Sequence, residues 1–491
     1  MRPLVISLGA ALLLLVICRL ILKDWRRAAL LVSFWLILFF TYGHLYQVLK
    51  STAFQGFSLG RHRYLLVIYL GLLGAGTWWI VRKVRDLSLA TQALNIISLL
   101  LLVYPTYQVT SFYLNASTEQ KHAERLPEAS VALADPPSTD LPDVYYIILD
   151  GYTRGDALQR DLGYDNSAFL NELRKLGFYV AGCSRSNYSY TVGSLTSALN
   201  MDYLPALEAQ LEANGMDPKD LWVLLKQSLV RRTLEAMGYQ TVAFETGYEW
   251  SRLADADIYL GLAKESYAMQ RLNPFEAMLV KSSLILPLAD ARYLNLKRRF
   301  EDVNFPYQDH INGQLFILGE IPKIARTPDP TFAFIHVLIP HVPYVFGPDG
   351  EILADPGYYG GRKSAPINRE YERKGYTGEV TFINARILED IKAILEESDT
   401  PPVIIIQGDH GLRKDNRMLI LNAYHLPGEG EETLYPSISP VNSFRVVFDE
   451  VFGTSYGLLP DVSYPRGGDY NTPADTPVEE KAPECLEAVS Q

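Results

Sequence analysis

The chain is 491 residues long, and its formal charge of −11 hides two unlike parts. Residues 1–112 are apolar and carry eleven Lys/Arg against two acids, Asp24 and Asp86, which leaves 34 basic and 54 acidic residues, a net −20, for the remainder. An acidic soluble part argues against nucleic acid, whose phosphates are bound mainly through Lys and Arg, and it is compatible with a bound cation that supplies positive charge locally.

Four apolar runs open the chain, roughly Leu4–Leu22, Ala28–Val48, Tyr64–Val81 and Ala90–Val109. A hydrocarbon core is crossed by about 20 such residues. The first run is too long for the apolar part of a signal peptide, and no small-residue cleavage site ends it. Arg19, near that end, can reach the interface along its aliphatic stem. Lys23, Arg26 and Arg27 in the first short loop, and Arg82, Lys83 and Arg85 in the third, predict both loops to be cytoplasmic. With four spans, the acidic C-terminal part then lies outside the cytoplasm. Cys18, Cys183 and Cys485 suggest no disulfide framework, so the redox compartment is not legible from cysteine usage.

Residues 113–141, with Pro127, Pro136 and Pro137 among Ala, Ser, Glu and Asp, follow neither a helical nor a strand period and predict a linker. Strand-like and helix-like segments then alternate over 142–465, the pattern of an α/β domain with a mostly parallel sheet flanked by helices. Its first strand, Val144–Leu149, ends on Asp150-Gly151. Turn chemistry alone accounts for many such pairs; Asp150 gains weight from a second acidic strand tip further on. A helix is predicted over Asn166–Leu176, with Asp165 as N-cap and Gly177 at its stop, followed by a short strand Phe178–Ala181.

Hydroxyls crowd Ser186–Ser197 at a loop-to-helix junction, with the helix running from Thr191 into Leu199. Ser and Thr are ordinary N-caps. The chemical reading is that a hydroxyl at a helix N-terminus, where backbone N–H groups and the macrodipole favour an anion, attacks phosphorus or sulfur. Hydroxyl chemistry alone does not choose Thr191 over Ser189 or Ser194. Arg154 and Asn187 are weaker candidates for contacting substrate oxygens.

An amphipathic helix over Leu221–Met237, closed by Gly238, leads into a strand Thr241–Phe244. The next strand, Thr331–Leu338, carries His336, which reads either as a hydrogen-bonded core histidine or as a substrate contact. His341, past the strand end between Pro340 and Pro343, is better placed to overhang a site and bind a phosphoryl oxygen. A helix over Val380–Leu395 sets Ile383, Ile387, Ile391 and Ile394 on one face. It leads through Pro401-Pro402 into Val403–Ile406, an uninterrupted run of β-formers.

Asp409-His410-Gly411 follows directly, so a carboxylate and an imidazole arrive at the C-terminal tip of a buried parallel strand, where the active sites of open α/β sheets collect. With Asp150 this predicts a bound divalent cation. Aspartate oxygen with histidine nitrogen suits zinc or manganese, whereas an all-oxygen magnesium or calcium shell has no need of His410. His425, in the strand-like run Leu419–Leu426, reads as structural. Phe444–Phe448 is predicted to be the last strand, and the Pro-, Glu- and Asp-rich tail from about residue 466 is predicted to be disordered.

Tyr146-Ile147-Ile148-Leu149-Asp150-Gly151, Ser186-Asn187-Tyr188 with Thr191 and Ser194, His336 through Pro343, and Gln407-Gly408-Asp409-His410-Gly411 together resemble the alkaline phosphatase/sulfatase superfamily. The branch in question is its membrane-anchored, sulfatase-like one, which includes lipoteichoic acid synthases and phosphoethanolamine transferases. The resemblance covers roughly residues 142–450. It implies an alkaline-phosphatase-like fold and one divalent metal ion (zinc, manganese or magnesium) held by Asp150, Thr191, Asp409 and His410. It also implies that Thr191 is the nucleophile and that His341 helps to bind the transferred group.

Three departures stand out. Asp150 occupies a position where those enzymes usually have Glu, and four spans are found where they typically have five. Cys183-Ser184-Arg185-Ser186-Asn187 lacks the Cys-x-Pro-Ser-Arg pattern from which sulfatases make formylglycine. The expectation is a membrane-anchored transferase or hydrolase of phosphoryl esters, acting on lipid head groups or envelope glycans. A sulfate-ester hydrolase using Cys183 and a non-catalytic membrane scaffold are the alternatives.

Overall fold

The computed structural model describes residues 2–51, 53–54, 57–58, 61–84, 87–123, 126, 141–262, 278–280, 282–289, 305–353, 369–412, 416–428 and 430–464. The chain divides into two units, Met1–Ser117 with Ala263–Gln308, and Thr118–Leu262 with Asp309–Gln491.

The first unit is built on α1 (Arg2–Leu22), α2 (Trp25–Ser51), α3 (His62–Arg82) and α4 (Leu87–Ala123), with a hairpin of β1 (Ala53–Phe54) and β2 (Phe57–Ser58) between α2 and α3. All four helices are long and apolar enough to cross a membrane. Many leucines of α1 and α4 point outward: Leu4, Leu12, Leu20, Leu99 and Leu101 are all exposed. Contiguous apolar surface of this kind is rare on soluble proteins and is what lipid contact requires. Cys18, Ala28, Leu31, Val32 and Ile80 form the interior between α1, α2 and α3. At one end of the bundle the Asp24 carboxylate accepts from the N–H groups of Arg26 and Arg27, while the Arg27 guanidinium donates to the Val81 carbonyl. Helix α4 continues to Ala123, into the stretch expected to be a linker; positions 124, 125 and 127–140 of that stretch lie outside the described residues, as does the tail from 465.

The second unit is an α/β domain. Its strands are β3 (Val144–Leu149), β4 (Tyr179–Val180), β5 (Gln240–Phe244), β6 (Ile258–Leu260), β7 (Thr331–Val337), β8 (Val403–Gly408) and β9 (Asn422–His425), in the spatial order β4-β9-β8-β3-β7-β5-β6. The five from β8 to β6 run parallel; β9 and β4 close one edge antiparallel. Every residue of β3, β7 and β8 is buried, as expected of central parallel strands covered on both faces. One face carries Val144, Tyr146, Ile148, Phe332, Phe334, Val403 and Ile405, which pack with Leu195, Leu199, Phe444 and Phe448. The long helix Arg369–Glu397 buries Ile383, Ile387, Ile391 and Ile394, the face its spacing predicted.

Two predicted elements are corrected. Phe444–Phe448 is not a strand but part of a helix, Pro440–Phe452. Ser439 holds an extended N-cap backbone, Pro440 takes the first helical position, and Gly453 ends the helix at φ +67°. These end signals, with Val441, Phe444 and Phe448 buried at helical spacing, outweigh the β-forming Phe-Arg-Val-Val-Phe window. The single helix expected over Leu221–Met237 is two, Leu221–Lys226 and Leu229–Ala236, because Ser228 turns extended and its hydroxyl caps the Arg231 N–H.

Candidate metal centre

The register of the sheet builds the centre. Leu149 lies opposite both Val337 and Gly408, so the chain leaves β3 and β8 at one level, and the next residues are Asp150 and Asp409. Glycines make the close approach possible. A Cβ on Gly408 would run into the Tyr152 carbonyl oxygen, and one on Gly411 into those of Asn416 and Leu419. Gly151, at φ +74°, turns its N–H onto Asp409 Oδ1 at 2.8 Å. That bond orients Asp409 and leaves its Oδ2 buried with no hydrogen-bond partner; Asp150 Oδ1 is in the same state.

His410 is the hub. Its Nδ1–H donates to the Gly411 carbonyl at 3.0 Å, which turns the Nε2 lone pair inward. Around that nitrogen stand Thr191 Oγ1 at 3.4 Å, Asp409 Oδ2 at 3.5 Å and Asp150 Oδ1 at 3.8 Å. Thr191 reaches it as the first residue of α5 (Thr191–Asn200), after Tyr190 in extended conformation. Of the other candidate hydroxyls, Ser194 is fully buried within the helix, and the Ser189 carbonyl accepts from Arg417.

Burial pushes the His410 imidazole below its usual pKa, against the pull of Asp409 and Asp150. Burial acts on Asp150 in the opposite sense, but His341, His336 and His410 outweigh it and hold the carboxyl below the usual range.

His341 mirrors His410. Its Nδ1–H donates to the Val342 carbonyl at 2.7 Å, and its ring lies 6.0 Å from that of His410. Asp150, His341 and His410 offer ligand atoms within 4.8 Å of one another. His336 pairs with Ile148 across the sheet and is fully buried. It is no ordinary core histidine, because neither ring nitrogen makes a hydrogen bond and Nε2 sits 3.4 Å from Asp150 Oδ2.

The donor set fits a divalent cation. Tetrahedral zinc with bonds of 2.0–2.1 Å separates its donors by about 3.3 Å, and the separations around His410 Nε2 start at 3.4 Å. Buried carboxylate oxygens without partners are costly unless a cation or proton compensates them.

Two residues near the centre were not anticipated. Arg417 donates from Nη2 to His410 Nε2 at 3.1 Å and from Nε to the Ser189 carbonyl, tying the hydroxyl-rich loop to the tip of β8. His310, on the helix Phe305–Glu320, has its pKa pushed down to about 4 by burial and by His341, against the opposing pull of Asp150. Neither carries a local motif: each reaches the centre only through the folding of a loop or a distant helix.

Other candidates are engaged elsewhere. Arg154 makes a paired contact with Asp156 and donates to the Ser184 carbonyl. Asn187 bridges Ser439, Val462 and Val441. His425 donates to the Pro402 carbonyl, a structural role. Cys183 is disulfide-bonded, which the cysteine spacing did not suggest.

The C-terminal periplasmic domain of EptC from Escherichia coli, in complex with Zn, is similar with a TM-score of 0.43 and 14% identity over 67% of this chain and 87% of that one. The integral membrane protein lipooligosaccharide phosphoethanolamine transferase A of Neisseria meningitidis is similar with a TM-score of 0.37 and 13% identity over 89% of this chain and 84% of that one. A 2-O GAG sulfatase shows a TM-score of 0.37 and 9% identity over 65% of this chain and 72% of that one. No protein-family model and no curated protein matches the chain. These neighbours are of the same kinds of protein that the strand-tip motifs resemble. Likenesses this distant carry no functional weight, and what the centre does has to be read from its own side chains.

Proposed function

We propose that the chain is a membrane-anchored, metal-dependent transferase or hydrolase of phosphoryl esters that works through a covalent threonine intermediate. One observation carries the reading: Thr191 Oγ1, Asp150 Oδ1 and Asp409 Oδ2 converge on Nε2 of His410. Asp150, Thr191, Asp409 and His410 would hold the ion. Zinc, manganese or magnesium bound there supplies Lewis acidity, which favours the ionised Thr191 hydroxyl and neutralises phosphoryl oxygens.

Thr191 Oγ1 forms a bond to phosphorus as the ester bond to the donor's alcohol breaks, and the alcohol leaves. A sugar hydroxyl or water then attacks the same phosphorus and releases Thr191. The N–H groups that open α5 face the charge that develops on the phosphoryl oxygens, and Arg417 adds a fixed positive charge beside His410. His341, with its Nε2 lone pair or proton directed at the centre, binds the transferred group, and His336 backs Asp150 from within the sheet.

The substrate class follows from the anchor. Residues 1–112 keep the domain at 142–465 near lipid head groups, so the donor is a lipid and the acceptor a lipid or an envelope glycan. Four candidate spans with basic first and third loops support a domain outside the cytoplasm. A disulfide at Cys183 suits such a compartment, and it leaves no free thiol there for conversion to formylglycine. Buried carboxylates without partners speak against a decayed scaffold.

The test is Thr191→Ala in the full chain, assayed for head-group release from a phospholipid donor, with mass spectrometry of the wild-type Thr191 peptide after rapid acid quench. Abolished turnover and a phosphoryl adduct on Thr191 are expected. Undiminished release by the variant overturns the reading.

A further inference from the structure

Met278–Ala289 reads Met-Leu-Val-Lys-Ser-Ser-Leu-Ile-Leu-Pro-Leu-Ala, with Lys281 its one charge. The stretch falls between β6, in the sheet-bearing unit, and the helix Phe305–Glu320, which belongs to that unit from Asp309 on, yet it is itself part of the membrane unit. The chain therefore passes between the units after Ser117, after Leu262 and after Gln308.

Its packing shows how deep it goes. Leu284 packs on Tyr42, Leu65 and Tyr69, which line the hairpin-side halves of α2 and α3. Its N–H donates to the Phe39 carbonyl at 2.8 Å. The apolar span of α2 ends at Leu49. At 1.5 Å per residue, Phe39 therefore lies about 15 Å below that end. Half the thickness of a hydrocarbon core is also about 15 Å.

Hydrogen bonding gives independent support. The N–H groups of Ser283, Leu284, Ile285 and Leu286 all find acceptors in the protein: the Val280 carbonyl, the Phe39 carbonyl, the Ser283 hydroxyl and the Ser283 carbonyl. The hydroxyls of Ser282 and Ser283 donate to the carbonyls of Leu279 and Val280. Most of these bonds close the segment's own turns, while the Leu284 bond ties its middle to the α2 backbone, where hydrocarbon would offer the N–H no other partner. Ser283, Val280 and Leu286 are buried, while Met278 is half exposed.

We propose that Met278–Ala289 is a re-entrant membrane segment. It dips into the bilayer beside α2 and α3 from the side that carries the β1–β2 hairpin and returns to that side, with Met278 turned toward lipid acyl chains. A stretch this short cannot span, and the chain on both sides of it rejoins the sheet-bearing unit. The inference does not depend on the metal chemistry.

The experiment uses the wild-type full chain in phosphatidylcholine vesicles that contain a phospholipid with a diazirine in its acyl chain. Photolysis followed by peptide mapping should place lipid adducts on Met278–Ala289 at a yield comparable with those on α4, and Met278 should lose its sensitivity to hydroxyl-radical oxidation on reconstitution. Adducts on α4 with none between 278 and 289, or a Met278 oxidised as readily in vesicles as an aqueous control peptide, overturn it.

Discussion

Thr191 Oγ1 lies 3.4 Å from His410 Nε2 although 219 positions separate the two residues in the chain. One opens α5 and the other follows the tip of β8, so the contact exists only because the helix and the sheet share an apolar face built from Leu195, Leu199, Tyr146 and Ile405. The fold thus delivers a hydroxyl to an imidazole that is already flanked by two carboxylates.

Thr191→Ser keeps that hydroxyl and removes a methyl group. Turnover should fall by about tenfold in the Ser variant and by about a thousandfold or more in Thr191→Ala, since the nucleophile itself is lost only in the second. Initial rates of head-group release from a fluorescent phospholipid check the ordering. Equal losses in the two variants would assign the role of Thr191 to packing.

Arg417→Lys keeps a positive charge but not the planar guanidinium that lies against His410 and donates to the Ser189 carbonyl. We expect kcat/KM to fall on the order of a hundredfold, mostly in kcat, as for the loss of a donor aimed at transition-state charge. A change confined to KM would place Arg417 in ground-state binding instead.

Gly408→Ala drives a methyl group into the Tyr152 carbonyl oxygen, which is backbone and cannot swing aside. The strand end that carries Asp409 must then move. A loss of about 1–3 kcal/mol should show as a lower Tm of the full chain in detergent, with activity reduced more than the melting shift accounts for. An unchanged Tm and rate would mean that the β3–β8 tips are not held rigidly.

Asp390, buried on the helix Arg369–Glu397, has its pKa raised to about 7 by burial, with Arg386 only partly offsetting it. In the unfolded chain it ionises near 3.8. The folded state therefore holds the extra proton between these values, and stability falls as pH rises from about 4 through 7, with the full penalty above. Three units correspond to an upper bound of about 4 kcal/mol. Asp390→Asn should raise the Tm at pH 8 and leave it nearly unchanged at pH 4. An equal shift at both pH values would trace the effect to packing rather than to charge.

Much of the centre was legible in the sequence because central parallel strands, buried on both faces, read as unbroken apolar runs. Val144–Leu149 and Val403–Gly408 announced themselves that way, and whatever followed them had to sit at a sheet tip. Thr191 was visible as one of three hydroxyls near a helix start, and contact with His410 sets it apart from Ser194. Arg417 and His310 were not legible, since loop return and helix packing bring them in without any local pattern. Phe444–Phe448 was misread because two Phe and two Val around Arg445 fit a strand as well as a helix when the caps on either side are ignored. Ser228 broke a helix whose apolar period runs on unbroken, a choice made by one side-chain hydrogen bond. The membrane character of Met278–Ala289 was hidden by its shortness and by its position inside the second half of the chain.

The most direct test of the central claim is elemental analysis of the purified full chain, paired with the variants Asp150→Asn, Asp409→Asn and Arg417→Lys. Zinc, manganese or magnesium is expected at one ion per wild-type chain, retained in Arg417→Lys and lost in both aspartate variants without loss of folding by circular dichroism. An active wild-type chain free of these metals, or aspartate variants that keep a full complement, would contradict the account.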